Sequence, residues 1–211
     1  MKAKKIFGNK IVKNLSMKIK IYSKSLQEQN PNFLQNVIIP KQTHSNNIIE
    51  IINWKENLEN CDGIFTSQEN NFSLWIRTAD CTAITFYDKH NYWIIHAGWR
   101  WLVNWIIEKM LQKFDNPEIF VAPFLKSFEI QKDFCYDLIY DKFWDKFFCK
   151  DVALLHLYKK ENKIIFNFEE ALESILPKNA KIDKRDTLED EDFYSYRRDK
   201  TEKRNYTIIS K

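Results

Sequence analysis

The sequence predicts an α+β protein with a mixed, largely antiparallel sheet and few helices. Short β-branched or aromatic runs bounded by Asn, Asp, Gly and Pro recur along its 211 residues. Helical periodicity is confined to three segments. Hydrophobic residues make up 44% of the chain, enough to close a core over this length without disulfide or metal staples, so a single domain over 1–211 is expected.

Taken in order, residues 18–22 (KIKIY) alternate charged and apolar side chains, the period of a half-buried strand. Residues 23–36 are polar, rich in Asn and Gln, and read as a loop. Val37–Ile39 and Ile48–Ile52 are short apolar runs, the first ended by Pro40. Asp62-Gly63 is a turn signal leading into Ile64-Phe65-Thr66. Leu74–Thr78, Ala83–Tyr87 and Tyr92–His96 read as strands, and Asp88-Lys89-His90-Asn91 joins the last two as a hairpin. Residues 99–114 hold the strongest helical pattern, with Leu102, Trp105, Ile106, Lys109 and Met110 at helical spacing and Gly98 just before the start. Glu118–Val121 is a strand stopped by Pro123, and Asp133–Phe148 reads as a second helix heavy with aromatics. Leu154–Tyr158 and Lys163–Phe166 read as strands, Phe168–Leu176 as a short helix ended by Pro177, and Tyr206–Ile209 as a last strand.

Composition excludes several function classes. With 33 Lys+Arg against 29 Asp+Glu, the net charge is only +4, which mildly favours an anionic small ligand and falls short of a nucleic-acid binder. Glycine occurs 3 times, against about 15 at ordinary usage of ~7%. Neither a phosphate-binding P-loop nor a dinucleotide fingerprint can be written with Gly8, Gly63 and Gly98. The four cysteines (Cys61, Cys81, Cys135, Cys149) form no C-x-x-C pair, no apolar stretch approaches the ~20 residues of a membrane span, and residues 1–20 carry scattered lysines in place of a signal-type apolar run. The expectation is a cytoplasmic protein with reduced thiols, no membrane partner, and a monomeric or weakly homo-oligomeric state.

Four histidines narrow the search for chemistry. His90 lies in a turn and His156 in an apolar strand, where surface and core roles suffice. His44 follows the polar Lys41-Gln42-Thr43, and His96 ends a hydrophobic strand before Ala97-Gly98-Trp99-Arg100. A strand end followed by Gly and a helix start is where such folds place reactive groups and admit anions. Cys81 closes the run Arg77-Thr78-Ala79-Asp80, which is not a core context, although a lone Cys is ordinarily a small buried hydrophobe. The neighbouring Asp80 raises the thiol pKa by like-charge repulsion, and a metal would override that by deprotonating a coordinating thiol. Two His and one Cys make a sensible zinc set that leaves a fourth position for water or substrate. Their long spacing leaves convergence, and a free nucleophilic Cys81, undecided.

Gln42-Thr43-His44-Ser45, Asp62-Gly63-Ile64-Phe65-Thr66, Thr78-Ala79-Asp80-Cys81, His96-Ala97-Gly98-Trp99-Arg100 and Phe193-Tyr194-Ser195-Tyr196-Arg197-Arg198-Asp199 together resemble the YfiH-type laccase-domain family, also described as polyphenol oxidases and purine nucleoside phosphorylases. The resemblance runs discontinuously over residues 41–211. It implies one layered α/β/β/α domain and a zinc site on His44, Cys81 and His96. It implies phosphorolysis of adenosine, inosine, guanosine or methylthioadenosine, with adenosine deamination as a second reaction, so the partners are a purine nucleoside and phosphate. This chain departs from the family pattern at Trp101, in the stretch Ala122–Ile130, at Asp186 and in a shorter N-terminal region.

On that reading His44, Cys81, His96 and Asp80 are the catalytic candidates, Asp80 orienting a ligand His or moving a proton. Gln42, Arg100, Arg197 and Arg198 are candidates to hold substrate or phosphate, guanidinium forks matching phosphate oxygens. For the Arg pair the competing role is a solvated charge run, since Asp199, Lys200, Glu202, Lys203 and Arg204 follow. Trp99 and Trp101 offer faces to a purine, or pack at a helix start. Copper-dependent phenol oxidation is the alternative, less favoured because a multicopper centre needs far more imidazoles than four histidines provide. A catalytically weak member that binds a nucleoside or partner is the third reading.

Overall fold

The computed structural model describes residues 17–35, 37–100, 105–114, 116–130, 157–160 and 163–211. Twelve strands and four helices are present among them: β1 Lys18–Tyr22, α1 Lys24–Gln29, β2 Ile48–Glu50, β3 Gly63–Ser67, β4 Leu74–Thr78, β5 Thr82–Tyr87, β6 Asn91–Ala97, α2 Ile106–Leu111, β7 Glu118–Val121, β8 Ser127–Ile130, β9 Leu157–Lys160, β10 Lys163–Asn167, α3 Phe168–Ile175, β11 Lys181–Ile182, α4 Tyr196–Asp199 and β12 Asn205–Ser210. The mixed, mostly antiparallel α+β class read from the sequence is the class observed.

The strands form three sheets, ordered β11-β7-β5-β6-β3-β2, β1-β12-β4 and β8-β10-β9. Among the described strands, β2 with β3 and β7 with β11 pair in parallel and the other pairs are antiparallel. Period-2 alternation sorts side chains between layers. Ile84, Phe86, Trp93 and Ile95 point from the six-stranded sheet toward Ile106, Ile107 and Met110 of α2 and Phe168, Ala171 and Leu172 of α3. Their neighbours Ala83, Tyr92 and Ile94 face the other way, onto Leu74, Ile76 and Ile209 of the small sheet. That sheet's outer face carries Tyr22, Trp75 and Ile208, with Leu26 of α1 packed against them. The order helix, sheet, sheet, helix is the layering the resemblance implied.

Five segments differ from the sequence reading. The polar stretch 23–36, expected as loop, contains α1. Its first turn is held from outside: Asp192 accepts hydrogen bonds from Ser25 N at 2.9 Å and Ser25 Oγ at 3.1 Å. Gln27 Nε2 donates to the carbonyls of Tyr22 at 2.9 Å and Arg204 at 2.8 Å. The helix expected over 99–114 does not run unbroken, because Trp105 lies at φ 61°, in the left-handed region, and α2 begins only after it. β8, β11 and α4 form where no element was expected. The helix expected over 133–148, the first half of the strand expected over 154–158, and His156 lie outside the described residues.

Gly63 earns its place by space. A Cβ there would meet Ile48 Cγ1 at 2.9 Å and Ile95 Cγ2 at 3.0 Å, so β2, β3 and β6 close up only over glycine. That close approach carries Asp62 and the end of β6 to one spot.

Candidate metal centre

The site lies where the chain crosses between two sheets. β4 belongs to the small sheet and β5 to the large one, and Ala79-Asp80-Cys81 is the whole link. The link turns sharply, with Asp80 at φ 83°. It sets Cys81 beside β5, whose Ala83 pairs with His96 near the end of β6. His44 approaches on its own loop at φ 67°. Strained backbone at two adjoining positions is typical of a functional site. One potential ligand atom from each of His44, Cys81 and His96 falls within 4.8 Å of the other two. The convergence that spacing left open is met by the fold.

One buried carboxylate ties this cluster together. Asp62 is fully buried, and its Oδ1 lies 2.9 Å from His96 Nδ1. A carboxylate accepts and does not donate, so Nδ1 carries the proton and Nε2 keeps its lone pair. Asp62 Oδ2 accepts from the backbone N–H groups of Thr43 at 3.1 Å and Ser45 at 2.6 Å, on either side of His44, and from Ser45 Oγ at 2.9 Å. Burial pushes the Asp62 carboxyl up, but these donors outweigh it and hold its pKa below the usual range.

Burial lowers the pKa of His96, against the pull of Asp62. Desolvation, then His96, lowers that of His44, with Asp62 opposing. Both rings are therefore biased to the neutral, metal-ligating form. Burial, with Asp80 and Asp62 adding to it, pushes the Cys81 thiol up to about 12. The thiolate is thus not available on its own account, and needs a cation to form. Two neutral imidazoles and such a thiol fit a zinc ion, and the same donor set accepts copper.

The cluster opens onto a cavity of about 550 Å³. Arg77, Arg197 and Arg204 contribute cationic groups to its wall, and Trp99, Phe128, Phe168 and Tyr196 contribute aromatic ones. Among the sequence-selected residues, Gln42, His44, Asp80, Cys81, His96, Trp99 and Arg197 line it. Gln42 uses its amide at both ends on Arg77, donating to the carbonyl at 2.7 Å and accepting from the N–H at 2.9 Å, so it buttresses β4. Asp80 Oδ1 accepts from Thr187 Oγ1 at 3.1 Å and Oδ2 from Arg197 N at 2.7 Å. The carboxylate that holds a histidine of this cluster through its ring nitrogen is thus Asp62, a role the sequence reading considered for Asp80. The Arg197 guanidinium lies 4.4 Å from the centre of the Phe128 ring.

Arg100 and Arg198 stand apart from the cavity wall. Arg100 is exposed and lies over Trp99, 5.1 Å from its ring centre. The Arg198 guanidinium donates to the carbonyls of Leu188 at 2.8 Å and Phe193 at 2.6 Å and pairs with Asp199, which ties the C-terminal loops. Sequence reasoning missed Asp62, Arg77 and Arg204 as site residues. Asp62 was visible only as a turn former, Arg77 as a neighbour of Cys81, and Arg204 as one of a run of charges. Trp101 lies outside the described residues.

The family model for multi-copper polyphenol oxidoreductase laccase matches residues 17–210. A protein of Aquifex aeolicus named purine nucleoside phosphorylase is 26% identical over 206 residues, covering 92% of each chain. One of the same name from Bacteroides thetaiotaomicron is 33% identical over 93 residues, 39% of this chain and 34% of that one. The crystal structure of a Neisseria meningitidis protein superposes with a TM-score of 0.69 at 20% identity, covering 88% of this chain and 78% of that chain. That of the Bacillus licheniformis hypothetical protein YfiH gives 0.67 at 18% identity, covering 89% and 78%. Among the described residues no helix is long and apolar enough to cross a membrane.

Proposed function

The chain belongs to the multi-copper polyphenol oxidoreductase laccase family, and within it we propose that this protein is a zinc-dependent purine nucleoside phosphorylase. The observation that carries this reading is the three-donor cluster opening onto a cavity lined by three arginines and four aromatic rings. The name of the Aquifex aeolicus relative points the same way. The whole of 1–211 is taken as one domain.

In this reading His44, Cys81 and His96 hold the metal, which supplies a Lewis acid to polarise or position an oxygen. Arg197 holds phosphate. Its N–H is fixed by Asp80 and its guanidinium is braced on Phe128, so little freedom is lost on binding. Arg77 and Arg204 add positive charge to the same wall, offset in part by Glu202, which lines it too and lies 3.7 Å from Arg204, and the arginines outnumber it in drawing an anion. Phe128, Trp99 and Tyr196 offer apolar faces to a purine, with Phe168 packed behind Phe128. A phosphate oxygen forms the new bond to the sugar C1′ as the bond from C1′ to the base breaks. The base leaves with the electron pair and takes up a proton. Adenosine deamination is proposed as a second activity of the same cavity: water adds to the purine C6, the bond from C6 to the exocyclic nitrogen breaks, and ammonia leaves with the proton it takes up.

The test is purified protein of measured metal content incubated with adenosine, inosine and methylthioadenosine, with and without phosphate. The expected products are free base and pentose 1-phosphate, formed only with phosphate and absent in His44→Ala. Inosine from adenosine without phosphate would show the deaminase activity. Faster turnover of phenols by copper-loaded protein would favour the oxidase alternative, which the His2Cys donor set also admits. No product from folded, zinc-loaded protein would overturn the enzymatic reading in favour of a binding role.

A further inference from the structure

We propose that Asp62 is the positioning residue of the three-donor cluster, setting both histidines at once. This rests on the reading of His44, Cys81 and His96 as metal ligands. A ligand histidine ordinarily leans on a carboxylate through its second nitrogen, which fixes the ring and its tautomer. Asp62 does this for His96 with Oδ1. The same carboxylate holds His44 through the backbone on either side of it. Its Oδ2 takes the N–H groups of both flanking residues, Thr43 and Ser45, and the Ser45 hydroxyl.

His44 needs that grip. It is exposed and sits at φ 67°, a conformation disfavoured for a residue with a Cβ. A loop in that state returns to ordinary backbone angles unless something over-determines it. Three hydrogen bonds to one fully buried carboxylate supply the constraint. Asp62 is itself fixed, because its carbonyl accepts His96 N–H at 2.7 Å and its own N–H donates to Asn47 O at 3.1 Å. Asp62 therefore couples the His44 loop to the end of β6, and the distance between the two imidazoles is preset.

The carboxylate cannot be replaced by its amide. Asn has one acceptor and one donor end. If its oxygen faces Thr43 and Ser45, its NH2 faces His96 Nδ1, which must give up its proton to Nε2 and lose the lone pair that binds metal. If its oxygen faces His96, its NH2 opposes two backbone N–H groups and the His44 loop is released.

The experiment has two arms. Metal-stripped protein is titrated with zinc against a chromophoric chelator, comparing wild type with Asp62→Asn, Ser45→Ala and His44→Ala. Affinity should fall about 10–100-fold in Asp62→Asn, the range for a lost partner of a ligand histidine, and less in Ser45→Ala, which removes one of four hydrogen bonds. Separately, the tautomer of His96 is read by 15N NMR in the metal-free wild type. The expected form is protonated at Nδ1. Wild-type affinity in Asp62→Asn with loss in His44→Ala would overturn the inference and leave the metal reading intact. Wild-type protein that binds no zinc would overturn the metal reading. An Nε2-protonated His96 in the wild type would overturn the positioning role whatever the metal result, and that arm stands even where Asp62→Asn fails to fold.

Discussion

Adjacent arginines in this chain have different work. Arg197 lines the cavity and leans on Phe128, whereas Arg198 is committed to backbone carbonyls and Asp199. Arg197→Ala should raise KM for phosphate about tenfold or more, the loss of one charged hydrogen-bonding partner, while the melting temperature stays near wild type. Arg198→Ala should do the reverse, lowering stability by about 2 kcal/mol with little change in KM. Steady-state kinetics and thermal melts on both variants check the contrast. A second residue-scale expectation concerns pH. Asp183 receives hydrogen bonds from Arg185 Nη2 at 2.7 Å and from Arg185 Nε and N, each at 3.0 Å. Burial raises its pKa, but these bonds outweigh it and hold it below the ordinary 3.8. A carboxyl whose folded pKa is depressed stabilises the fold above its unfolded pKa, and that stability drains away as pH falls through the folded pKa. Asp183→Asn should therefore melt below wild type at pH 7, with the gap closing as the buffer is taken below about pH 4.

At the scale of elements, strands obey the pattern of their own residues and helices do so less. β5 and β6 alternate between the two core layers as their sequences alternate. α3 begins at an Asn167 side chain that accepts from Glu170 N at 3.2 Å, a local cap. By contrast α1 takes its anchor from Asp192, far along the chain, which is why its polar sequence read as loop. β2, β3 and β6 meet over Gly63, and Gly63→Ala should cost about 1–3 kcal/mol through overpacking. Denaturant unfolding measures that cost, and because Asp62 is the next residue, zinc affinity should fall with it.

Across the whole molecule, Asp80 joins parts of the chain more than 100 residues apart through Thr187 and Arg197. Asp80→Ala removes two hydrogen bonds and should lower stability by about 1–3 kcal/mol. It also frees the backbone that presents Arg197, so KM for phosphate should rise more than KM for nucleoside. Equal rises in both would show that Asp80 acts elsewhere. The cavity depends on such links, because its walls come from the small sheet, the link to β5, the end of β6, β8 and the C-terminal loops. Most of the strands, the α+β class and the choice of His44, Cys81 and His96 as candidate donors were legible in the residues alone. Strand and helix periods are local, and His and Cys carry their chemistry wherever they fall. It took the folded chain to show that Asp62 serves both histidines, that Arg77 and Arg204 line the cavity, that Arg198 ties loops instead, and that the helix pattern over 99–114 breaks at Trp105. Those outcomes depend on which distant groups meet, and a hydrogen-bond partner across the fold leaves no periodic mark on the residues that share it.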